Sequence, residues 1–140
     1  MKKHLKLIVD TNIIIKALIK DSKVRAILLN PNNLFCLPEY AIEEVMEHMP
    51  LLIEKTGLPE EQIKLALNTL QTNIQIIPSE KVLEKWDEAK EIIESVDEGD
   101  IPFIAASLTI TCDGIWSDDK DLKRQRKVKV WNTRDITGLI

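Results

Sequence analysis

The chain has only two cysteines, Cys36 and Cys112, with no CxxC and no Cys/His pairing. That excludes a disulfide framework and leaves zinc without its usual ligands. Both thiols sit in apolar context, in Leu-Phe-Cys-Leu and Ile-Thr-Cys-Asp, and read as buried and free. Aromatic residues make up only 4%, too few for extensive base stacking to supply sequence specificity. Glycine (4) and proline (6) are sparse, and neither a repeat nor a low-complexity segment is visible. No apolar run approaches the roughly 18 residues of a membrane span. Lys2, Lys3, His4 and the apolar residues after them mimic a signal peptide. Asp10, Asn12 and Lys16 break that run and no small-residue cleavage site follows, so a cytoplasmic location is expected. The net charge of −4 argues against wholesale coating of nucleic acid but leaves room for a local basic patch.

What remains is ordinary for a globular protein: 44% apolar and 30% charged residues over 140 positions, read as one domain spanning 1–140. The organising stretch is Leu7-Ile8-Val9-Asp10-Thr11-Asn12. Lys6 to Val9 is a short, mostly apolar run suited to a strand covered on both faces. It stops at a carboxylate, and Ile13 to Leu18 can continue as a helix. In open α/β sheets ligands bind beyond the carboxyl ends of strands, where Asp10 falls. Asp10 is equally a good N-cap for the helix that follows.

Asn30-Pro31-Asn32-Asn33 then signals a turn, and Leu34 to Leu37 reads as a second strand closed by Pro38. From Glu39 a helix is expected, with Ile42, Val45, Met46, Met49 and Leu52 on one face. Pro59-Glu60-Glu61 opens another helix, lined by Ile63, Leu67 and Leu70. Ile74 to Ile77 is a third strand. A helix from Ser79 carries Val82, Trp86, Ala89, Ile93 and Val96 on one stripe, so Trp86 reads as core. Residues 80–100 hold nine acids against three bases, which mostly describes a solvated helix face. Asp97-Glu98-Gly99-Asp100 breaks the helix, and Ile101-Pro102 restarts one through Leu108. Gly114-Ile115-Trp116 leads into Ser117-Asp118-Asp119, and Val128 to Trp131 is a last strand near a sheet edge. Short strands alternating with helices define a three-layer α/β/α fold on a parallel sheet.

Acids thus recur at Asp10, Glu44, Asp97/Asp100 and Asp118/Asp119. Gathered without a counter-charge, they would repel and raise one another's pKa. A hard divalent cation would turn that repulsion into binding, and oxygen-only ligands favour Mg²⁺ or Mn²⁺. Such a metal generates a nucleophile from water and neutralises charge on an attacked phosphate.

The order of these pieces resembles the PIN-domain family of metal-dependent ribonucleases, which includes the VapC-type toxins of toxin–antitoxin pairs. The likeness rests on Leu7-Ile8-Val9-Asp10-Thr11-Asn12, on Asp97-x-x-Asp100-x-Pro102-Phe103-Ile104-Ala105-Ala106, and on Ser117-Asp118-Asp119-Lys120-Asp121-Leu122. Trp131-Asn132-Thr133 closes it. The resemblance implies a five-stranded parallel sheet in the order 3-2-1-4-5. It also implies a catalytic set of Asp10, Glu44, Asp100 and Asp119, with Asp10, Asp100 and Asp119 holding Mg²⁺ or Mn²⁺. Glu43 is the alternative to Glu44. Asp118 stands where the family usually has glycine, which leaves Asp118 and Asp119 as rivals. Thr11, Asn12, Asp97, Ser117 and Asp118 form a secondary tier that orients ligands or water, or else caps helices and turns. An RNA substrate, an antitoxin protein and a homodimer are the partners implied, with exposed apolar residues of the Glu44–Leu52 segment as the contact surface.

Residues 120–134 carry seven Lys and Arg against one Asp. Lys120, Lys123, Arg124 and Arg126 could hold an RNA backbone beside the acids, or merely solvate a loop. His4 and His48 have no partner pattern. A PIN-like module that binds RNA or assembles with little hydrolysis is the main rival reading. A phosphatase with Asp10 as nucleophile ranks last, because it needs a second acid where this chain has Asn12.

Overall fold

The computed structural model describes residues 4–19, 22–93 and 98–138. Strand β1 (Lys6–Val9) is central, with Leu7, Ile8 and Val9 wholly buried. Such a continuous apolar run is what a strand covered on both faces requires. On one side β1 pairs in parallel with β2 (Leu34–Pro38), Leu7 opposite Phe35. On the other it pairs with β4 (Gly114–Trp116), Val9 opposite Trp116. β3 (Ile74–Ile77) and β5 (Val130–Trp131) complete a parallel sheet in the order β3-β2-β1-β4-β5.

The order reverses between β1 and β4, so crossovers of one hand deliver helices to both faces. Helix α1 (Thr11–Ile19) packs with α2 (Ser22–Leu28), α3 (Glu39–Glu47), α4 (Met49–Thr56) and α5 (Glu60–Gln71). The other group is α8 (Ile101–Thr109), laid along β1, β2 and β4, with α6 (Ser79–Glu84) and α7 (Trp86–Ile93) against it. Phe35 and Trp116 meet within the core at a ring-centroid distance of 5.6 Å. A short α9 (Thr133–Thr137) closes the chain.

Three expected elements differ in extent. The helix from Glu39 breaks at His48 into α3 and α4. Pro50 explains it: in a continuous helix its ring would strike the carbonyl of Met46. The helix from Ser79 breaks at Lys85, and nothing in the local sequence accounts for that; Val96, expected on its stripe, lies outside the described residues. The last strand begins at Val130 rather than Val128. The Gln125 amide takes both the Val128 N–H (2.9 Å) and its carbonyl (2.8 Å), so Val128 is spent before the ladder starts. Among the described residues no helix is long and apolar enough to cross a membrane. Cys36 is buried, Cys112 half-buried, and both are free.

Candidate functional site at the carboxyl ends of β1 and β4

Asp10 stands where β1 hands over to α1. Its N–H donates to the Trp116 carbonyl (3.0 Å) and its carbonyl accepts from Ile13 N (3.0 Å), locking the backbone between ladder and helix. Its side chain, in a residue only 5% exposed, accepts a 2.7 Å hydrogen bond from the Ser117 hydroxyl. Ser117 Oγ in turn accepts from the Asp119 N–H (3.0 Å). One wholly buried hydroxyl therefore ties the end of β1 to the loop after β4.

The glutamate arrives from α3 by the same device. Thr11 Oγ1 donates to Glu44 Oε1 at 2.9 Å, while Glu43 is exposed on the outer side of the helix. The Ser117 hydroxyl thereby joins the Asp10 carboxylate to the Asp119 backbone, and Glu44 is tied to Thr11, the residue after Asp10.

The rivals Asp118 and Asp119 have different surroundings. Asp118 accepts from the Thr133 N–H (2.7 Å), the Thr133 hydroxyl (2.7 Å) and Lys16 Nζ (2.8 Å). Its carboxylate is occupied as a clamp between α1, α9 and the β4 loop. Asp119 Oδ1 accepts the Asp121 N–H (2.9 Å), which shapes the turn. A groove of about 600 Å³ opens between Asn12, Lys16, Asp119 and Lys120.

Electrostatics separate the acids further. Burial pushes the Asp10 carboxyl above its ordinary range, and the Asp119 charge adds to the rise; the Ser117 hydroxyl and the Asn12 and Thr11 amides pull it back in part. Glu44 is also raised, first by burial and then by the Asp10 charge, against the Thr11 hydrogen bond. Burial would raise Asp118 too, but bonds from Lys16 and Thr133 outweigh it and leave that carboxyl lowered. Asp10 and Glu44 thus carry the charge strain that a site for cations or protons has, and Asp118 does not.

Asp100 is 7% exposed at the start of α8, after a single 3-10 turn over Glu98–Asp100. α8 packs along β1, β2 and β4 and connects to β4 through residues 110–113 alone, so its N-terminus lies toward the carboxyl ends of the strands, as Asp10 does. Asp97 lies outside the described residues.

The donor set of Asp10, Glu44, Asp100 and Asp119 is all oxygen, which suits Mg²⁺ or Mn²⁺. Among the described residues, no three His, Cys, Asp or Glu side chains stand gathered as a finished cage. Mg²⁺ does not demand one: it is commonly held by one or two carboxylates, with water and substrate phosphate filling its shell. The residues fit that group.

Of the basic residues, Lys120 lines the groove. Lys123 pairs with Asp135 (3.3 Å) and Arg124 with Asp121 (3.5 Å), while Arg126 is exposed. Lys129 lies 4.1 Å from the centroid of the Trp131 ring. Lys16 was not among the expected site residues. Its signal was available in the spacing, since it lies one helical turn after Asn12. Thr133 carried no such signal, because only the folded chain brings it to Asp118. In the α4 region Val45, Met49 and Leu52 are buried in the core; the exposed apolar residues there are Leu51 and Ile53, with Leu58 and Leu65 beyond.

A parallel sheet whose strand order reverses between β1 and β4, with Asp10 and Asp119 just beyond the carboxyl ends of those two strands, defines a doubly wound α/β protein. The sequence profile of the PIN domain matches residues 8–138, and the chain belongs to the PIN-domain family, whose members are generally nucleases. Its fold is similar to a chain in the crystal structure of VapBC2 from Rickettsia felis bound to a DNA fragment from their promoter. The TM-score is 0.68 at 18% identity, over 91% of this chain and 98% of that one. No curated protein matches the chain significantly.

Proposed function

We propose that the protein is a Mg²⁺- or Mn²⁺-dependent endoribonuclease, a single PIN nuclease domain acting in the cytoplasm as the toxin of a toxin–antitoxin pair. The observation that carries the reading is a pair of hydroxyl ties, Ser117 between the Asp10 carboxylate and the Asp119 N–H and Thr11 to Glu44, with the Asp10 and Glu44 carboxyls each raised by burial and by a neighbouring acid's charge. Asp10, Asp100 and Asp119 would hold the metal, one or two of them binding it directly and water completing its shell. Bound there, the cation supplies an activated water and neutralises charge on the attacked phosphate.

The remaining work belongs to the chain. Ser117 holds the Asp10 carboxylate and anchors the Asp119 backbone beside it. Thr11 holds Glu44 beside Asp10, where its carboxyl, raised by burial, is suited to exchanging a proton with water. Asn12 and Lys120 border the groove through which the RNA backbone passes. Arg126 extends the basic strip, and Lys123 and Arg124 join it by exchanging weak, exposed ion pairs for phosphate. Asp118 acts as a clamp, not a metal ligand. The exposed Leu51, Ile53, Leu58 and Leu65 supply the surface for an antitoxin or a second subunit.

A second reading, a module that binds RNA with little hydrolysis, draws on the ungathered carboxylates. One experiment separates the two. The purified protein is incubated with labelled single-stranded RNA and structured tRNA in Mn²⁺, Mg²⁺ or EDTA, beside Asp10→Asn and Asp100→Asn. Metal-dependent cleavage absent from both variants supports the nuclease. Binding without cleavage in any metal supports the module.

A further inference from the structure

A second cavity, of about 340 Å³, shares no lining residue with the groove, and no expected site residue lines it. Its walls are Tyr40, Trp86, Lys90, Glu98 and the Ile101-Pro102 start of α8. Tyr40 lies on α3 one turn before Glu44, and the two share a helix face. Gly99 and Ile101, which line the cavity, flank Asp100 in sequence. Two of the acids, Glu44 and Asp100, are thus one helical turn or one residue along the chain from the cavity's walls.

Its chemistry is unlike the rest of the surface. The protein has six aromatic residues; both Phe rings and the indoles of Trp116 and Trp131 are buried. The other two, Tyr40 (37% exposed) and the half-buried Trp86, both line this cavity. Lys90 follows Trp86 by four residues on α7, so its ammonium stands on the same face as the indole. Glu98 sets a carboxylate on the wall. Two aromatic faces, one cation and one acceptor match a nucleotide: a base against the rings, its exocyclic N–H to Glu98 and its phosphate on Lys90.

We infer that this cavity is a nucleobase subsite, holding the base of a nucleotide next to the one whose phosphate lies at Asp10 and Asp100. Base–aromatic contact is sequence-tolerant, because every base has a π-face, so the subsite sets the register of the strand more than its sequence. It relies on the nuclease reading for what lies next door, but its own test does not.

The test is binding of adenosine 5′-monophosphate in EDTA, followed by tryptophan fluorescence. Trp86 is the most accessible of the three indoles, so stacking quenches its emission. Ribose 5-phosphate serves as the base-free control. We expect saturable quenching by the nucleotide only. Tyr40→Leu weakens it about ten-fold, Tyr40→Phe retains it, and Lys90→Gln weakens the nucleotide more than free adenosine. Equal binding of nucleotide and ribose phosphate, or unchanged affinity in Tyr40→Leu, would overturn the inference. RNA with a single abasic residue walked past the cleavage point gives the second readout. Base-dependent binding without cleavage leaves the subsite standing and removes the nuclease; cleavage indifferent to every abasic position does the reverse.

Discussion

Replacing Ser117 with alanine removes one oxygen and disconnects two acids. The hydroxyl donates at 2.7 Å to a buried carboxylate, a bond to a charged group worth about 1.5–3 kcal/mol. It also accepts the Asp119 N–H, and leaving that donor unmatched in a part-buried loop costs about 1 kcal/mol more. Ser117→Ala should therefore lose about 2.5–4 kcal/mol, a large share of the roughly 5–15 kcal/mol typical of a domain. The loss has a sign in pH. Asp10 is raised in the fold, so between its unfolded and folded pKa the native state binds more protons than the unfolded chain. Stability then falls as pH rises through that window. Ser117 is the strongest downward influence on Asp10, so its removal carries that fall to higher pH and deepens it. Urea unfolding in EDTA at about pH 5 and about pH 7.5 should show the greater penalty at the higher pH. Affinity for Mn²⁺, measured by thermal protection, should drop about 10- to 100-fold. A penalty under about 1 kcal/mol, or one that shrinks as pH rises, would refute the reasoning.

Two further outcomes follow from geometry. A methyl built on Gly114, which sits at φ +133°, would overlap the Lys129 carbonyl oxygen and lie 3.1 Å from Trp131 Nε1. Gly114→Ala combines that strain with displacement of β5 and should cost about 3 kcal/mol or more in urea unfolding; a loss under about 1 kcal/mol would mean β5 gives way freely. Asn132→Ala breaks the reciprocal cap in which Asn132 Oδ1 accepts the Asp135 N–H (2.7 Å) and Asp135 accepts the Asn132 N–H (3.0 Å). It should cost about 1 kcal/mol. The Asn132 N–H also holds Asp135 below its usual range. The cap's support is therefore present above the unfolded carboxylate pKa and fades as pH falls through the folded one. Thermal melts at acid and neutral pH check both parts.

Much of the scaffold was legible because its signals are local. Leu7 to Val9 is apolar without alternation, which only a doubly covered strand tolerates, and Pro38, Pro59 and Gly57 punctuate where the chain turns. Sheet order came from resemblance, since nothing local states which strand lies beside which. Adjacent acids could not be separated by reading. Glu43 and Glu44 differ only in the helix face that meets Thr11, and Asp118 and Asp119 only in whether Thr133 and Lys16 reach them. Each deciding contact spans 15 residues or more. The truncation of β5 by Gln125 is local, yet it depends on a side-chain amide copying a backbone partner, which composition does not announce.

The bond from Ser117 to Asp10 joins residues 107 positions apart, and β1 cannot find its β4 neighbour until the chain has been made past Trp116. At roughly 5–20 residues per second, translation keeps Asp10 waiting about 5 to 20 seconds for its hydroxyl. During that interval Asp10 is an ordinary solvated carboxylate in an unfinished polypeptide. Every chain cut short before Asp119 lacks the site altogether. The order of synthesis is thus a safety interval, during which no assembled centre exists.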